Sequence, residues 1–189
     1  LASAYAVLAN GGFRVEPYLI ARIEDSKGQV LDRARPARAC TSCEEGAELA
    51  TASQPARPED GRTGSAQGEA DVDAPVAPRV MEARVNFIVH SMLQDVITRG
   101  TGQRARVLQR SDLAGKTGTT NGPMDAWFSG YGSSIVTTTW VGFDSYTPLG
   151  RREFGGTAAL PIWIDYMRAA LDGLPDSPRP VPSGIVYVR

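Results

Sequence analysis

The sequence predicts an α+β domain, with helices packed on an antiparallel sheet. Three runs of strand character, at 112–119, 126–132 and 135–143, follow one another in the second half of the chain. Segments with helical spacing, at 81–97 and 157–171, flank them on either side. With 189 residues, 42% of them hydrophobic, there is enough chain for one domain with a real core. Such an order fits helices set on a sheet.

Taken from the start, Leu1 to Asn10 is alanine-rich and favours a helix, which Gly11-Gly12 stops in the left-handed region. Residues 13–31 read as a hairpin. Residues 14–23 are strand-like, Asp25-Ser26-Lys27-Gly28 is turn chemistry, and Gln29-Val30-Leu31 returns. Composition then changes at Arg33. The stretch 44–79 has no aromatic residue, no Ile and no Met, and its only large aliphatics are Leu49, Val72 and Val76. It holds 8 acidic and 3 basic residues, a net of −5. Too little apolar surface is available there to offset the entropy of ordering, so a disordered acidic insert is expected at 44–79.

Order returns at Val80. Met81, Val85, Ile88, Met92 and Val96 follow helical spacing, Leu93 and Ile97 widen the stripe, and Gly100-Thr101-Gly102 ends it. The three strands come next, the last rich in Val, Thr and Trp. The helix at 157–171 tolerates Pro161 in its first turn, with Gly173 beyond its end. The proline-rich stretch 175–182 reads as extended.

The formal net charge of −1 gives no reason to propose a nucleic-acid partner, and no polybasic membrane patch is present. No apolar run approaches the ~20 residues of a transmembrane helix. The opening Leu1-Ala2-Ser3-Ala4-Tyr5 reads as the middle of a helix, without a basic leader. The expectation is a C-terminal piece of a longer protein.

The chemistry centres on Lys116-Thr117-Gly118-Thr119-Thr120-Asn121. Acyl transfer on a peptide with a free terminal carboxylate needs an activated nucleophile, donors for the oxyanion and a cationic, hydroxyl-lined clamp. Lys116 offers the charge and Thr117 and Thr119 offer hydroxyls. Gly118 removes a Cβ where a ligand must approach the backbone closely. Period-two alternation puts Lys116 and Thr117 on opposite faces, so one ligand meets both only along a strand edge. An edge strand is therefore expected, with a substrate strand added to it and its scissile carbonyl at the Thr119 amide. No Ser in the chain has Lys three positions on or Asn two positions on.

Alone, a Lys-Thr-Gly tripeptide is weak evidence, since it recurs by chance. Here it stands among Tyr5-Ala6-Val7-Leu8-Ala9-Asn10-Gly11-Gly12-Phe13, Arg99-Gly100-Thr101-Gly102, residues 125–132, Trp140-Val141-Gly142-Phe143-Asp144 and Pro161-Ile162-Trp163. In this order, over nearly the whole chain apart from the insert, they resemble the class A, bifunctional penicillin-binding proteins of the Gram-negative 1a type. The resemblance implies the C-terminal portion of the penicillin-binding, serine β-lactamase-like transpeptidase fold. It implies a D,D-transpeptidase that cross-links stem peptides ending in D-Ala-D-Ala by serine acyl transfer and is acylated by β-lactams. Lys116 then matches the lysine that orients the Ser-x-Asn hydroxyl and the substrate carboxylate. Thr117 and Thr119 match the carboxylate-binding hydroxyls, the Thr119 amide an oxyanion donor, and Gly118 and Thr120 complete the substrate-binding strand.

The departure is the missing Ser-x-x-Lys and Ser-x-Asn, which the family carries ahead of the Ala-Asn-Gly-Gly helix. The expected partners are an upstream part of the same protein carrying them, peptidoglycan stem peptides and β-lactams. The family adds a glycosyltransferase domain, an anchor to the periplasmic side of the inner membrane, and an outer-membrane lipoprotein activator. Transpeptidation needs no cofactor. The competing readings are a non-catalytic cell-wall-binding module and a serine β-lactamase. The latter fits poorly with the acidic insert, Thr119-Thr120 and the proline-rich tail.

Cys40 and Cys43 could be half a zinc site, a redox motif, a disulfide or two idle thiols. The second half of a zinc site is missing and no βαβ pattern surrounds them. In the oxidising periplasm that the resemblance implies, a disulfide is expected. His90, the single histidine, is expected to be a packed or surface residue and not a metal ligand. Trp127, Phe128 and Tyr131 read as alternating sheet residues, at least two of them in the core. Asp125 is either a turn residue or a groove residue.

Overall fold

The computed structural model describes residues 1–40 and 74–188. Helix α1 spans Ala2–Ala9, and the chain turns out of it through Gly11 and Gly12 at φ 91° and 100°, conformations that suit glycine. Asn10 staples this exit, its amide donating to Phe13 O (2.8 Å) and its oxygen accepting from Phe13 N (2.9 Å).

The hairpin consists of β1, Arg22–Glu24, paired antiparallel with β2, Val30–Arg33. Its turn is where the sequence puts it, with Asp25 Oδ1 accepting from Lys27 N (2.8 Å) and Gln29 N (2.9 Å). The expected strand from 14 to 23 is cut to its last residues. Pro17 has no N–H to give a ladder, and Phe13 bridges Arg79 instead. Most of the expected insert, and with it Cys43, lies outside the described residues, so the Cys40–Cys43 pairing does too. Residues 74–79 fall within them: Val76 bridges Arg38 and Ala77 is buried.

Helix α2, Ala83–Thr98, agrees in extent with the expected helix but buries a different face. Asn86, His90 and Ile97 are buried, whereas Val85, Ile88 and Met92 are 46%, 44% and 61% exposed. The two polar side chains turn inward because each has a partner there. Asn86 Nδ2 donates to Val7 O (3.1 Å), and His90 Nδ1 lies 2.9 Å from the Tyr131 hydroxyl with the rings stacked. Among the described residues, no helix is long and apolar enough to cross a membrane.

A short 3₁₀ turn, Gln103–Leu108, leads to the sheet. Strands β3, Ala114–Thr119, β4, Asp125–Gly132, and β5, Ile135–Gly142, form it in the order β3-β4-β5, antiparallel throughout. A π turn, Gly155–Ala159, feeds helix α3, Leu160–Ala170, with Pro161 in its first turn as expected. Alternation along β4 sends Ala126, Phe128 and Gly130 to α3, where Phe128 meets Trp163 edge-on at 4.9 Å, both fully buried. Trp127, Ser129 and Tyr131 take the other face, where Tyr131 meets α2. Of the three aromatics, Phe128 and Tyr131 are buried and Trp127 is half-buried.

The proline-rich tail is tied down by hydrogen bonds. Asp176 accepts from Ser111 N (2.9 Å) and Asp112 N (3.1 Å), and Arg110 donates to Leu174 O (2.8 Å) and Pro175 O (2.7 Å). Asp112 is buried and binds Arg110 through both oxygens (2.9 and 2.7 Å), Ser133 N (2.9 Å) and Ser177 N (3.1 Å). Burial pushes its carboxyl up, but the Arg110 guanidinium and the Ser177 amide outweigh this and hold it below the usual carboxylate range. Further along, Arg179 donates to Asn86 Oδ1 and to Ala9 O (2.6 Å), with its guanidinium over the Tyr131 ring at 6.0 Å.

Candidate active site

The site is built along β3. Its residues pair only with β4 among the described residues, Lys116 opposite Ser129, Thr117 opposite Phe128 and Thr119 opposite Ala126, so β3 is the edge strand that the sequence calls for. Thr120 N donates to Asp125 O (3.2 Å) at the end of this ladder. Antiparallel alternation then turns the main-chain groups of Lys116 and Gly118 toward β4 and those of Thr117 and Thr119 to the open edge. The Thr119 N–H therefore faces outward.

Two glycines let the strand lie this close to its neighbours. A Cβ on Gly115 would stand 2.8 Å from the Phe128 ring and 2.9 Å from Ser129 O, and one on Gly118 would stand 3.1 Å from Trp127 Cβ. Lys116 is exposed and folds over the edge, its Nζ donating to Thr117 O (2.9 Å) and reaching Thr117 Oγ1 at 3.4 Å. So Lys116 and Thr117 do start from opposite faces and meet at the edge. Thr119 Oγ1 accepts from Gly155 N (3.0 Å), which leaves the hydroxyl proton free to donate.

Thr120 is placed differently from its neighbours. Its Oγ1 accepts from Met124 N (3.2 Å) and Asp125 N (2.9 Å), closing the β3–β4 turn. Asp125 in turn accepts from Trp140 Nε1 at 2.8 Å, and Trp140 is tilted against Trp127 at 6.0 Å. His90 sits beneath the sheet, neutral: burial above all, and then the Arg179 charge, lower its pKa to about 4, against a smaller raising by Asp112. Burial also pushes the Tyr131 phenol up to about 12.

Two contributors were not singled out from the sequence as site residues. Thr101 brings its Oγ1 to 2.8 Å from Thr117 Oγ1. Gly155 carries the amide on Thr119, and a Cβ there would lie 2.4 Å from Trp127 O and 2.6 Å from Gly118 O. The signal in both cases was glycine spacing, Gly100-Thr101-Gly102 and Gly155-Gly156, where a chain must run close against other backbone.

The arrangement gathers an ammonium, two hydroxyls and an outward amide along one open strand edge, a set of donors suited to a peptide carrying a carboxylate. The penicillin binding protein transpeptidase domain family matches residues 1–148. The chain is similar to penicillin-binding protein 1A of Pseudomonas aeruginosa, 49% identical over 100% of this chain and 24% of that protein. It is 37% identical to penicillin-binding protein 1A of Neisseria lactamica, over 98% of this chain and 19% of the relative. The chain thus spans a quarter or less of the curated relatives it matches. A solved structure of penicillin-binding protein 1A from Haemophilus influenzae superposes with a TM-score of 0.81 at 39% identity, covering 98% of this chain and 28% of that one. The helix-and-antiparallel-sheet architecture is that of these transpeptidases, and the chain belongs to the penicillin-binding protein transpeptidase domain family.

Proposed function

We propose that this chain supplies the substrate-clamping wall of a serine D,D-transpeptidase that cross-links peptidoglycan stem peptides. The observation that carries the reading is the open edge of β3, where Lys116 Nζ, the Thr117 and Thr119 hydroxyls and the Thr119 N–H stand together in a family member. A stem peptide ending in D-Ala-D-Ala lies along that edge as an added strand. The hydroxyls and the ammonium hold its terminal carboxylate. The Thr119 N–H stabilises the negative charge that develops on the scissile carbonyl oxygen. A serine on a Ser-x-x-Lys motif outside these 189 residues attacks that carbonyl, the terminal D-Ala leaves, and an amine of a second stem peptide then takes the acyl group.

β-Lactams acylate the same serine. No cofactor takes part. The whole protein carries a glycosyltransferase domain as well and works on the periplasmic side of the inner membrane, under an outer-membrane lipoprotein activator. A fluorescent penicillin tests this reading. The full-length protein should be labelled covalently and the 189-residue chain alone should not. Labelling of the isolated chain at one of its own serines, or a full-length protein that takes no label, refutes it.

A further inference from the structure

The two clamp threonines are served unequally, and the difference singles out Thr101. An oxygen that is to donate its own proton to a carboxylate does so best when a neighbour donates to its lone pair, because the incoming proton fixes where the outgoing one points. For Thr119 the neighbour is the Gly155 N–H, which can only donate. For Thr117 the corresponding groups are Lys116 Nζ, distant at 3.4 Å, and a second hydroxyl, Thr101 Oγ1 at 2.8 Å, and either oxygen of that closer pair can be the donor. If Thr117 donates to Thr101, its proton is turned away from the ligand. If Thr101 donates, the Thr117 proton is left for the open edge.

The loop that bears Thr101 is held firmly beside β3, so its hydroxyl stays within reach of Thr117 Oγ1. Gly102 N donates to Val96 O (2.8 Å), pinning the loop to the end of α2. A Cβ on Gly100 would stand 2.8 Å from Val96 Cα, and one on Gly102 3.0 Å from Ile97 Cδ1, so the turn is as tight as the backbone allows. The far side of Thr101 is closed by the π turn, where a Cβ on Gly156 would stand 3.1 Å from Thr101 O.

We infer that Thr101 is a positioning residue, whose hydroxyl donates to Thr117 Oγ1 and so aims the Thr117 proton at the carboxylate of the substrate or β-lactam. The inference rests on the reading of the β3 edge as a carboxylate clamp. Its consequence is selective: Thr101 assists ligands that carry the carboxylate and leaves neutral ones alone.

The test uses the full-length protein that contains this chain. Second-order acylation rates are measured with a β-lactam bearing its free carboxylate and with the methyl ester of the same compound. Thr101→Val keeps the side-chain shape without the hydroxyl, Thr101→Ala serves should valine disturb folding, and Thr101→Ser restores the hydroxyl. Loss of one aimed bond to a charged group should slow the carboxylate ligand on the order of tenfold in Val and Ala. The ester should slow less than about twofold, with Ser within about threefold of the unmodified protein for both.

Equal slowing of both ligands in Val and Ala, or a Ser variant no better than Val, overturns the inference. The unmodified protein separates the two levels of the argument. If it acylates acid and ester alike, the clamp reading fails and the inference falls with it. If it prefers the acid and the Thr101 variants keep that preference in full, the inference alone is wrong.

Discussion

Replacing Arg179 with methionine tests whether the tail is a structural strap. The guanidinium reaches in from the proline-rich segment and donates to Asn86 Oδ1 on α2 and Ala9 O at the end of α1, above the Tyr131 ring of β4. One side chain therefore ties three elements on the same face of the sheet. Methionine fills much of the volume of the arginine stem but donates nothing. Asn86 is 1% exposed, so its oxygen is left without water or partner, which costs about 1–3 kcal/mol. Two hydrogen bonds to a charged group are worth about 1.5–3 kcal/mol each. Against them stands the relief of desolvating the guanidinium, the cause that lowers its pKa.

The net expectation is a loss of about 2–4 kcal/mol, or about 4–16 °C in the melting of a domain of this size. Arg179→Lys keeps the charge but has one nitrogen for two separated acceptors, and should fall between the two. Melting of the transpeptidase domain in the full-length protein, followed calorimetrically, reads the result. A drop under about 1 °C in Arg179→Met, or a lysine variant as stable as arginine, shows that the strap is ornamental.

Two further outcomes follow from the same face and from the site. His90 has its pKa lowered from 6.5 to about 4, so the unfolded chain binds the proton more tightly. Stability should then be full above pH 6.5 and fall as pH drops toward 4, by about 2 kcal/mol at pH 5. His90→Gln should flatten that acid limb and Arg179→Met should make it shallower, and an unchanged limb in His90→Gln disproves the assignment. At the site, Gly155→Ala should drive a Cβ into the Trp127 and Gly118 carbonyls at 2.4 and 2.6 Å, costing about 1–3 kcal/mol and shifting the amide off Thr119. Penicillin acylation should slow in step, and a variant with unchanged acylation and melting contradicts that geometry.

The strands and the edge position of β3 were legible because local chemistry decides them. Ile135–Gly142 is rich in β-branched residues, and Lys116 and Thr117 can share a ligand only at an edge. Helix α2 was legible in extent but not in orientation. Its most regular apolar stripe, Val85-Ile88-Met92, is exposed, since partners for Asn86 and His90 sit on the other side. Those partners come from α1, β4 and the tail, up to 93 residues away, and periodicity within one helix carries no trace of them. The same holds for the tail, where composition reads as extended and says nothing of the contacts by which Asp176 and Arg179 anchor it. At the site, Thr101 was visible as part of a helix stop and of a stretch carrying the resemblance, but not as a site residue, because its partner lies on a strand 16 residues on.

The most direct test of the clamp is Thr119→Val, read as a ratio. Valine keeps the outward N–H and the shape, loses the hydroxyl, and leaves the Gly155 N–H without its acceptor. That last cost falls on every ligand, so it cancels when acylation by a carboxylate-bearing β-lactam is divided by acylation by its ester in the full-length protein. The account predicts that this ratio falls on the order of tenfold or more in Thr119→Val. A ratio equal to that of the unmodified protein, with both rates lowered together, contradicts it.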